Sequence, residues 1–369
     1  QGEAWATETV TFTTVGPPIV AALPPNAVGF TSAALEGALI DTCGAPTTVW
    51  IYWGAADGGE SPDAWELAIP FGPQETGAVS SAVSGLAENT AYFYRVYAEN
   101  TYGARWSPIV RFTTAFALPP VVKTDNLVFW LRADMGVAHS NGLVHAWADQ
   151  AGTSDAFSSG GARPLYVSDA INGRAALRFD GINDFLAAAD HDALDLGVGA
   201  GKSWTLIAVY LREKSGTQNI VAKGTAGSNV ADWRFFRDDT GVVWGTGPSA
   251  DTNAWFRIAE PAGNQPHVLA GTLTQTGETS GVKAFSINGT AYVSEPYAVK
   301  APANESPVMI GGEDVRHECL QGLIAEVMVF NKALNDDDLN NVGFYLQEKY
   351  GIPGLFEYRA PRGTLLWVK

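Results

Sequence analysis

The chain has 369 residues, 46% of them hydrophobic and 17% charged, with a formal charge of −16 from 39 acidic and 23 basic side chains. That composition supports a buried core and excludes a disordered chain. The acidic balance, with no cluster of Lys and Arg, excludes a groove that tracks nucleic-acid phosphates and attraction to an anionic membrane, while it suits solubility and leaves carboxylates to meet Ca2+.

No apolar run approaches the roughly 18 residues of a membrane span, so none is expected. The 40 Gly, 20 Pro, 12 Trp and 12 Tyr favour short strands joined by turns. Residue 1 is Gln, so a mature or excised piece of a longer product is expected. Cys43 and Cys319 fit no metal-ligand spacing; two buried thiols and a disulfide between domains are both open readings.

In chain order, Val10-Thr-Phe-Thr-Thr14 with Pro17-Pro-Ile-Val20 returns as Val110-Arg-Phe-Thr-Thr114 with Pro119-Pro-Val-Val122. Gly2 and Trp5 recur as Gly103 and Trp106. The offset of about 100 residues is the size of one β-sandwich module. The second copy closes a module, so residues 1–18 read as the terminal strand of a preceding one.

Residues 19–115 read as that module. Thr48-Val-Trp-Ile-Tyr-Trp53 is a strand, followed by the loop Gly54-Ala-Ala-Asp-Gly-Gly59. Ala91-Tyr-Phe-Tyr-Arg-Val-Tyr-Ala98 is another, with Tyr92, Tyr94 and Val96 on one face and Phe93, Arg95 and Tyr97 on the other. Leu86-x-x-x-Thr90-x-Tyr92, then Tyr94-x-Val96-x-Ala98-x-Asn100 and Trp106-Ser-Pro, resembles the fibronectin type III family, which implies a spacer or display module. Its Arg-Gly-Asp adhesion tripeptide is absent. Residues 116–123 read as a Pro-stiffened linker.

From 124 to 353 many short strands with Gly-rich turns predict a closed sandwich or jelly roll. The strand Gly322-Leu-Ile-Ala-Glu-Val-Met-Val-Phe330 has two mostly apolar rows: Leu323, Ala325, Val327 and Val329 against Ile324, Glu326, Met328 and Phe330. It is expected to be covered on both sides. A helix follows, capped by Asn335, with Asp336, Asp337 and Asp338 in its positive first turn, Lys349 in its last and Gly351 as the stop. Residues 354–369 read as a terminal hairpin.

Trp130-Leu-Arg-Ala-Asp134, Trp147-x-Asp149-Gln150, Arg178-Phe-Asp-Gly181, Gly311-Gly312 and Gly322-x-Ile-Ala-Glu326-Val-x-Val-Phe-Asn331-x-Ala-Leu334 resemble the laminin-G-like, concanavalin A-like jelly-roll superfamily. The whole chain is therefore expected to be all-β: a fibronectin type III-like β-sandwich, then a concanavalin A-like (laminin-G-like) jelly roll with one short C-terminal helix.

Candidate sites follow from residue types. Asp180, Asn183 and Asp184, with Asp149 or Asp134 brought close, gather oxygens that suit Ca2+; an Asp-Gly turn held by side-chain-to-backbone bonds is the competing reading. Asp190, Asp192 and Asp195 form a second acidic loop. Trp233, Phe235, Trp244 and Trp255, with Arg237, are candidates to stack on sugar rings along a concave face, against the alternative of ordinary core packing. The five histidines, at 139, 145, 191, 267 and 317, have no zinc spacing. Related folds include β-glucan-cleaving enzymes, but their Glu-x-Asp-x-x-Glu is missing, as is a Gly-x-Ser-x-Gly elbow.

No enzymatic activity is expected. The expected function is a non-catalytic adhesion or carbohydrate-binding module of a large bacterial secreted or cell-surface protein, with a glycan partner and possible Ca2+. The alternative is a structural subunit of an extracellular fibre or stalk, self-assembled through residues 1–18 and 354–369.

Overall fold

A computed structural model describes residues 15–115, 124–152, 154–158, 160–196, 202–224, 231–247, 255–260, 264–277, 280–292, 296–297, 305–312 and 318–357. The expected strand at 10–14, the linker at 116–123 and residues 358–369 of the expected hairpin lie outside these. The chain divides into two compact units, the first made by residues 15–26, 32–86 and 90–112 and the second by the other described residues.

The first unit contains β1 (Ile19–Asn26), β2 (Ser32–Asp41), β3 (Thr47–Gly54), β4 (Leu67–Gln74), β5 (Gly77–Ser84), β6 (Ala91–Asn100), β7 (Gly103–Trp106) and β8 (Val110–Thr113). One antiparallel sheet runs β1-β2-β5; the other runs β4-β3-β6-β7, with β8 also on β6. Alternation decides which side chains enter the core. Val49 and Ile51 of β3 and Tyr94, Val96 and Ala98 of β6 are fully buried, and they face Leu35, Leu39 and Val79. The Tyr94 hydroxyl donates to the Leu23 carbonyl on β1 and ties the two sheets together.

The second unit contains β9 (Leu127–Arg132), β10 (Val137–Ser140), β11 (Leu143–Trp147), β12 (Ala156–Phe157), β13 (Leu165–Ile171), β14 (Arg174–Asp180), β15 (Leu186–Ala188), β16 (Trp204–Arg212), β17 (Gln218–Gly224), β18 (Ala231–Asp238), β19 (Gly241–Gly247), β20 (Trp255–Ile258), β21 (His267–Gln275), β22 (Gly281–Ile287), β23 (Thr290–Tyr292), β24 (Pro296–Tyr297), β25 (Val308–Ile310), β26 (Gln321–Phe330) and α1 (Asp336–Tyr350). All pairings are antiparallel. One layer runs β22-β21-β16-β26, and the free edge of β26 is completed by β14 along its first half and β9 along its second. The facing layer runs β12-β15-β25-β17-β18-β19-β20.

The space between the layers is filled by Leu206, Tyr210, Leu269, Phe285, Ile324 and Val327 from one side and Ile220, Trp233, Phe235, Trp244 and Ile310 from the other. The outer face of the first layer is covered by α1 through Val342, Tyr345, Leu346 and Tyr350. β26 is thus buried on both faces, as its apolar rows require.

Its rows differ from simple alternation. Leu323, Ala325, Met328 and Phe330 pack on the helix side, while Ile324, Val327 and Val329 point into the sandwich. The cause is a β-bulge: Tyr210 pairs with Ile324 and Val209 with Glu326, so Ala325 is the extra residue. Ala325 and Glu326 consequently both serve the helix side.

Glu326 needs that placement because of its partners. Its carboxylate accepts from Trp130 Nε1 at 2.7 Å, the Tyr350 hydroxyl at 2.9 Å and Lys349 Nζ at 2.8 Å. Lys349 also reaches Asp134 at 2.8 Å, and Asp134 is held by Arg132 through two bonds of 2.7 and 2.6 Å. Burial pushes the Asp134 carboxyl up, but the Lys349 ammonium and Arg132 guanidinium outweigh it and hold it well below the usual range. Lys349 stands in the last turn, as expected, and its side chain is 1% exposed. The helix ends follow the sequence: Asn335 accepts from the Asp338 amide, and Gly351 takes φ 58°.

Residues 354–357 are not a strand. Leu355 donates to the Asn288 carbonyl, and Asn340 pairs with both backbone groups of Glu357. Cys43 and Cys319 are both thiols, the first half-buried and the second buried.

Candidate functional site

The aromatic residues singled out in the second unit are core. Trp233, Phe235 and Trp244 have no exposed surface. Trp244 stands edge-on to Trp204 with centroids 5.5 Å apart, Phe235 stacks on Phe285 at 5.4 Å, and the Trp233 indole donates to the Leu194 carbonyl. Room for Trp244 comes from Gly271 on β21, where a Cβ would lie 2.8 Å from the indole ring. The expected exposed sugar-stacking groove is therefore corrected. Arg237 is 3% exposed. Its guanidinium is committed to the Gly216 and Asp238 carbonyls and to Glu260, which also receives Arg212 and the Tyr210 hydroxyl. The Trp255 side chain lies outside the described residues.

The acidic loops are tied to backbone. Asp180 Oδ1 accepts from the amides of Ile182, Asn183 and Asp184, and Asp184 Oδ2 accepts from the Asp180 amide. Asp149 accepts from the amides of Trp130, Ala151 and Ser154. The Asn183 amide points to the Gly161 carbonyl. A calcium cage needs oxygens aimed at one point; here Asp180 Oδ1, Asp184 Oδ2 and both Asp149 oxygens accept from backbone amides of their own turns. Among the described residues no three of His, Cys, Asp and Glu come together as a metal-holding group. Burial, then the neighbouring Asp180 charge, pushes the Asp184 carboxyl up to about 6. The second acidic loop already holds a cation of its own: the buried Lys223 ammonium pairs with Asp190 and Asp195.

The exposed aromatic surface lies in the first unit. Cross-strand register places Pro70 beside Trp50, Trp50 beside Tyr97 and Tyr97 beside Trp106, one residue from each of β4, β3, β6 and β7. Directly paired residues share a face, and this face is the one away from Val49, Ile51, Tyr94 and Val96. Tyr52, two residues along β3, joins the row. Ring centroids are 5.6 Å apart for Trp50–Tyr97, 4.6 Å for Tyr97–Trp106 and 5.1 Å for Tyr52–Trp106. All four rings are partly exposed. Their mutual packing orders them without hiding them, each pair contributing about 0.5–1.5 kcal/mol beyond area burial.

Polar groups frame the row. Tyr97 donates to Glu99 at 2.8 Å. Arg95 donates to the Ser107 carbonyl at 3.0 Å and reaches Asp57 at 3.4 Å. Asp57 is itself fixed, because it accepts from the Gly59 amide and the buried Trp65 indole donates to the Gly59 carbonyl. Burial, then Glu99, pushes the Tyr97 phenol up to about 12. Burial, then Glu99 and Asp63, raises Tyr52 as well. Both phenols therefore stay neutral, and the framing potential is negative.

Residues 180–340 match the concanavalin A-like lectin/glucanases superfamily. No curated protein matches the chain. Among solved structures, a Trypanosoma rangeli sialidase in complex with sialic acid is 12% identical, with 92% of this chain and 56% of that one covered and a TM-score of 0.44. The binding domain of botulinum neurotoxin DC in complex with SialylT is also 12% identical, with coverage of 61% and 52% and a TM-score of 0.44. The sensor domain of the anti-sigma factor RsgI4 of Pseudobacteroides cellulosolvens is 20% identical, covers 28% of this chain and has a TM-score of 0.23. The chain spans about half the length of the first two. Likenesses this distant say nothing of what the present chain binds.

The four aromatics of the first unit were not reached from sequence as a site. The signal was present in part: Trp50 and Tyr52 alternate with Val49 and Ile51. Choosing which row faces water requires the register that brings Tyr97 and Trp106 alongside.

Proposed function

We propose that the chain is a non-catalytic carbohydrate-binding protein that works outside the cell or at its surface in adhesion. The observation that carries this is the partly exposed row of Trp50, Tyr97 and Trp106 with Tyr52. Aromatic faces carry negative charge and the C–H faces of pyranose rings are weakly positive, so sugars stack on such rings. The fibronectin type III-like reading of the first unit fits its three-strand and five-strand sheets. It makes this face part of a display module. The concanavalin A-like match of the second unit is in keeping with a lectin-type protein.

A non-catalytic role is in keeping with the pairing of three carboxylates of the second unit. Asp134, Glu326 and Glu260 are each paired with Lys or Arg, and these ion pairs commit them to holding the fold.

A glycan array probed with the full chain and with a Trp50→Ala, Trp106→Ala double variant tests the proposal. Binding by the parent, loss in the variant and no effect of a chelator are expected. Undiminished binding by the variant, or no binding by the folded parent, would overturn it.

A further inference from the structure

Resting on that reading, we infer that the first unit's aromatic face selects a soluble, neutral glycan chain laid across strands β3, β6 and β7, and rejects both anionic glycans and flat crystalline polysaccharide. Three features of the face lead to this.

The first is length. Trp50, Tyr97 and Trp106 occupy three successive strands, and neighbouring strands are about 4.8 Å apart, so the row is about 10 Å long and continues to Pro70. A single sugar ring cannot touch both ends. The contact is made by consecutive residues of a chain whose direction is perpendicular to the strands.

The second is relief. Trp50 and Tyr97 are inclined by 49°, Tyr97 and Trp106 by 47°, and Tyr52 and Trp106 by 50°. The row is stepped. The planar face of a polysaccharide crystal can lie against coplanar rings but touches a stepped row only at ridges. A solvated chain can rotate about its glycosidic bonds and follow the steps, as a twisted sheet demands.

The third is charge. The guanidinium beside the row, Arg95, is already paired with Asp57. Glu99 lies on the same face as the row, on β6, and with Asp63 it acts on the Tyr52 phenol. The balance around the rings is negative. A carboxylated or sulfated chain brought here meets the like charge of Glu99 and Asp63. A neutral sugar brings hydroxyls, which an exposed carboxylate such as Glu99 accepts at no such cost.

The test is affinity electrophoresis of the full chain through gels containing a neutral soluble β-glucan, mannan or xylan, or the anionic polygalacturonate or alginate, together with a pull-down on microcrystalline cellulose. The expected result is retardation by at least one neutral polymer, none by the anionic ones and no depletion by cellulose. Trp50→Ala or Trp106→Ala should weaken retention tenfold or more, while Trp50→Phe, which keeps a ring, should stay within about threefold. Glu99→Gln should weaken neutral binding without creating a fold defect. Retention by anionic polymers alone, or cellulose binding equal to that of soluble chains, would overturn the inference and leave the glycan-binding reading standing. Absence of retention by every polymer, with folded protein, would overturn both.

Discussion

Replacing Lys349 by Met removes the one ammonium that bridges Asp134 and Glu326. In the native chain Arg132, Lys349, Asp134 and Glu326 sum to zero charge, and their side chains are exposed by 0, 0, 5 and 1%. The variant leaves one net negative charge in that space. Glu326 keeps three donors, from Trp130, Tyr345 and Tyr350, and Asp134 keeps Arg132, so the charge is solvated but uncompensated. Breaking such a buried pair costs about 3–5 kcal/mol. In a unit of this size 1 kcal/mol moves the midpoint by about 2–4 °C, so a fall of about 6–20 °C is expected. The assay is urea and thermal unfolding followed by tryptophan fluorescence, with separate transitions fitted for the two units. Adding Glu326→Gln restores neutrality and should recover more than about 1 kcal/mol. A single variant within about 1 kcal/mol of the parent, or a double variant whose losses simply add, would refute the reasoning.

Two further predictions concern the same unit. Asp184 has a folded value raised to about 6 by burial and by Asp180, so the native state holds more protons than the unfolded chain between its ordinary value near 4 and that point; stability contributed here is present at low pH and lost as pH rises to about 6. Asp184→Asn should therefore be more stable than the parent at pH 7.5 and equal to it at pH 4, and urea midpoints showing no such pH dependence would count against the like-charge account. Gly322→Ala would place a Cβ 2.1 Å from the Leu211 carbonyl oxygen and 3.1 Å from the Arg212 Cα. Backbone atoms in a paired strand cannot give way, so a loss of about 3 kcal/mol or more is expected, read as lowered soluble yield and midpoint.

Much of the fold is legible because it rests on local chemistry. Two apolar rows in 322–330 demand cover on both sides, and Asn335 and Gly351 mark the helix ends. The bulge at Ala325 is not legible, since it depends on which residue of β16 pairs with Glu326. The same holds for the site. Trp233, Phe235 and Trp244 look like stacking residues by type. Their burial follows from Gly271 and Phe285 on two paired strands of the opposite layer, a relation no window of sequence contains. The Asp180 turn was one of two open readings, and the amides of Ile182 to Asp184 select it. Lys223 as the resident cation of the second acidic loop depends on tertiary contact and had no local signal.

The bulge in β26 also has a consequence for how this chain should be compared with its relatives. The two halves of the strand are out of phase by one position, and Glu326 keeps step with Met328 and Phe330, on the side of Lys349. A relative one residue shorter at Ala325 would return to plain alternation and still turn its carboxylate toward the helix. A single-residue gap at this point is thus expected to leave the acid and the lysine near the helix end in place, whereas an insertion there would send the acid into the oily interior unless the charge were lost too, a pattern that an alignment could reveal without any measurement on the protein.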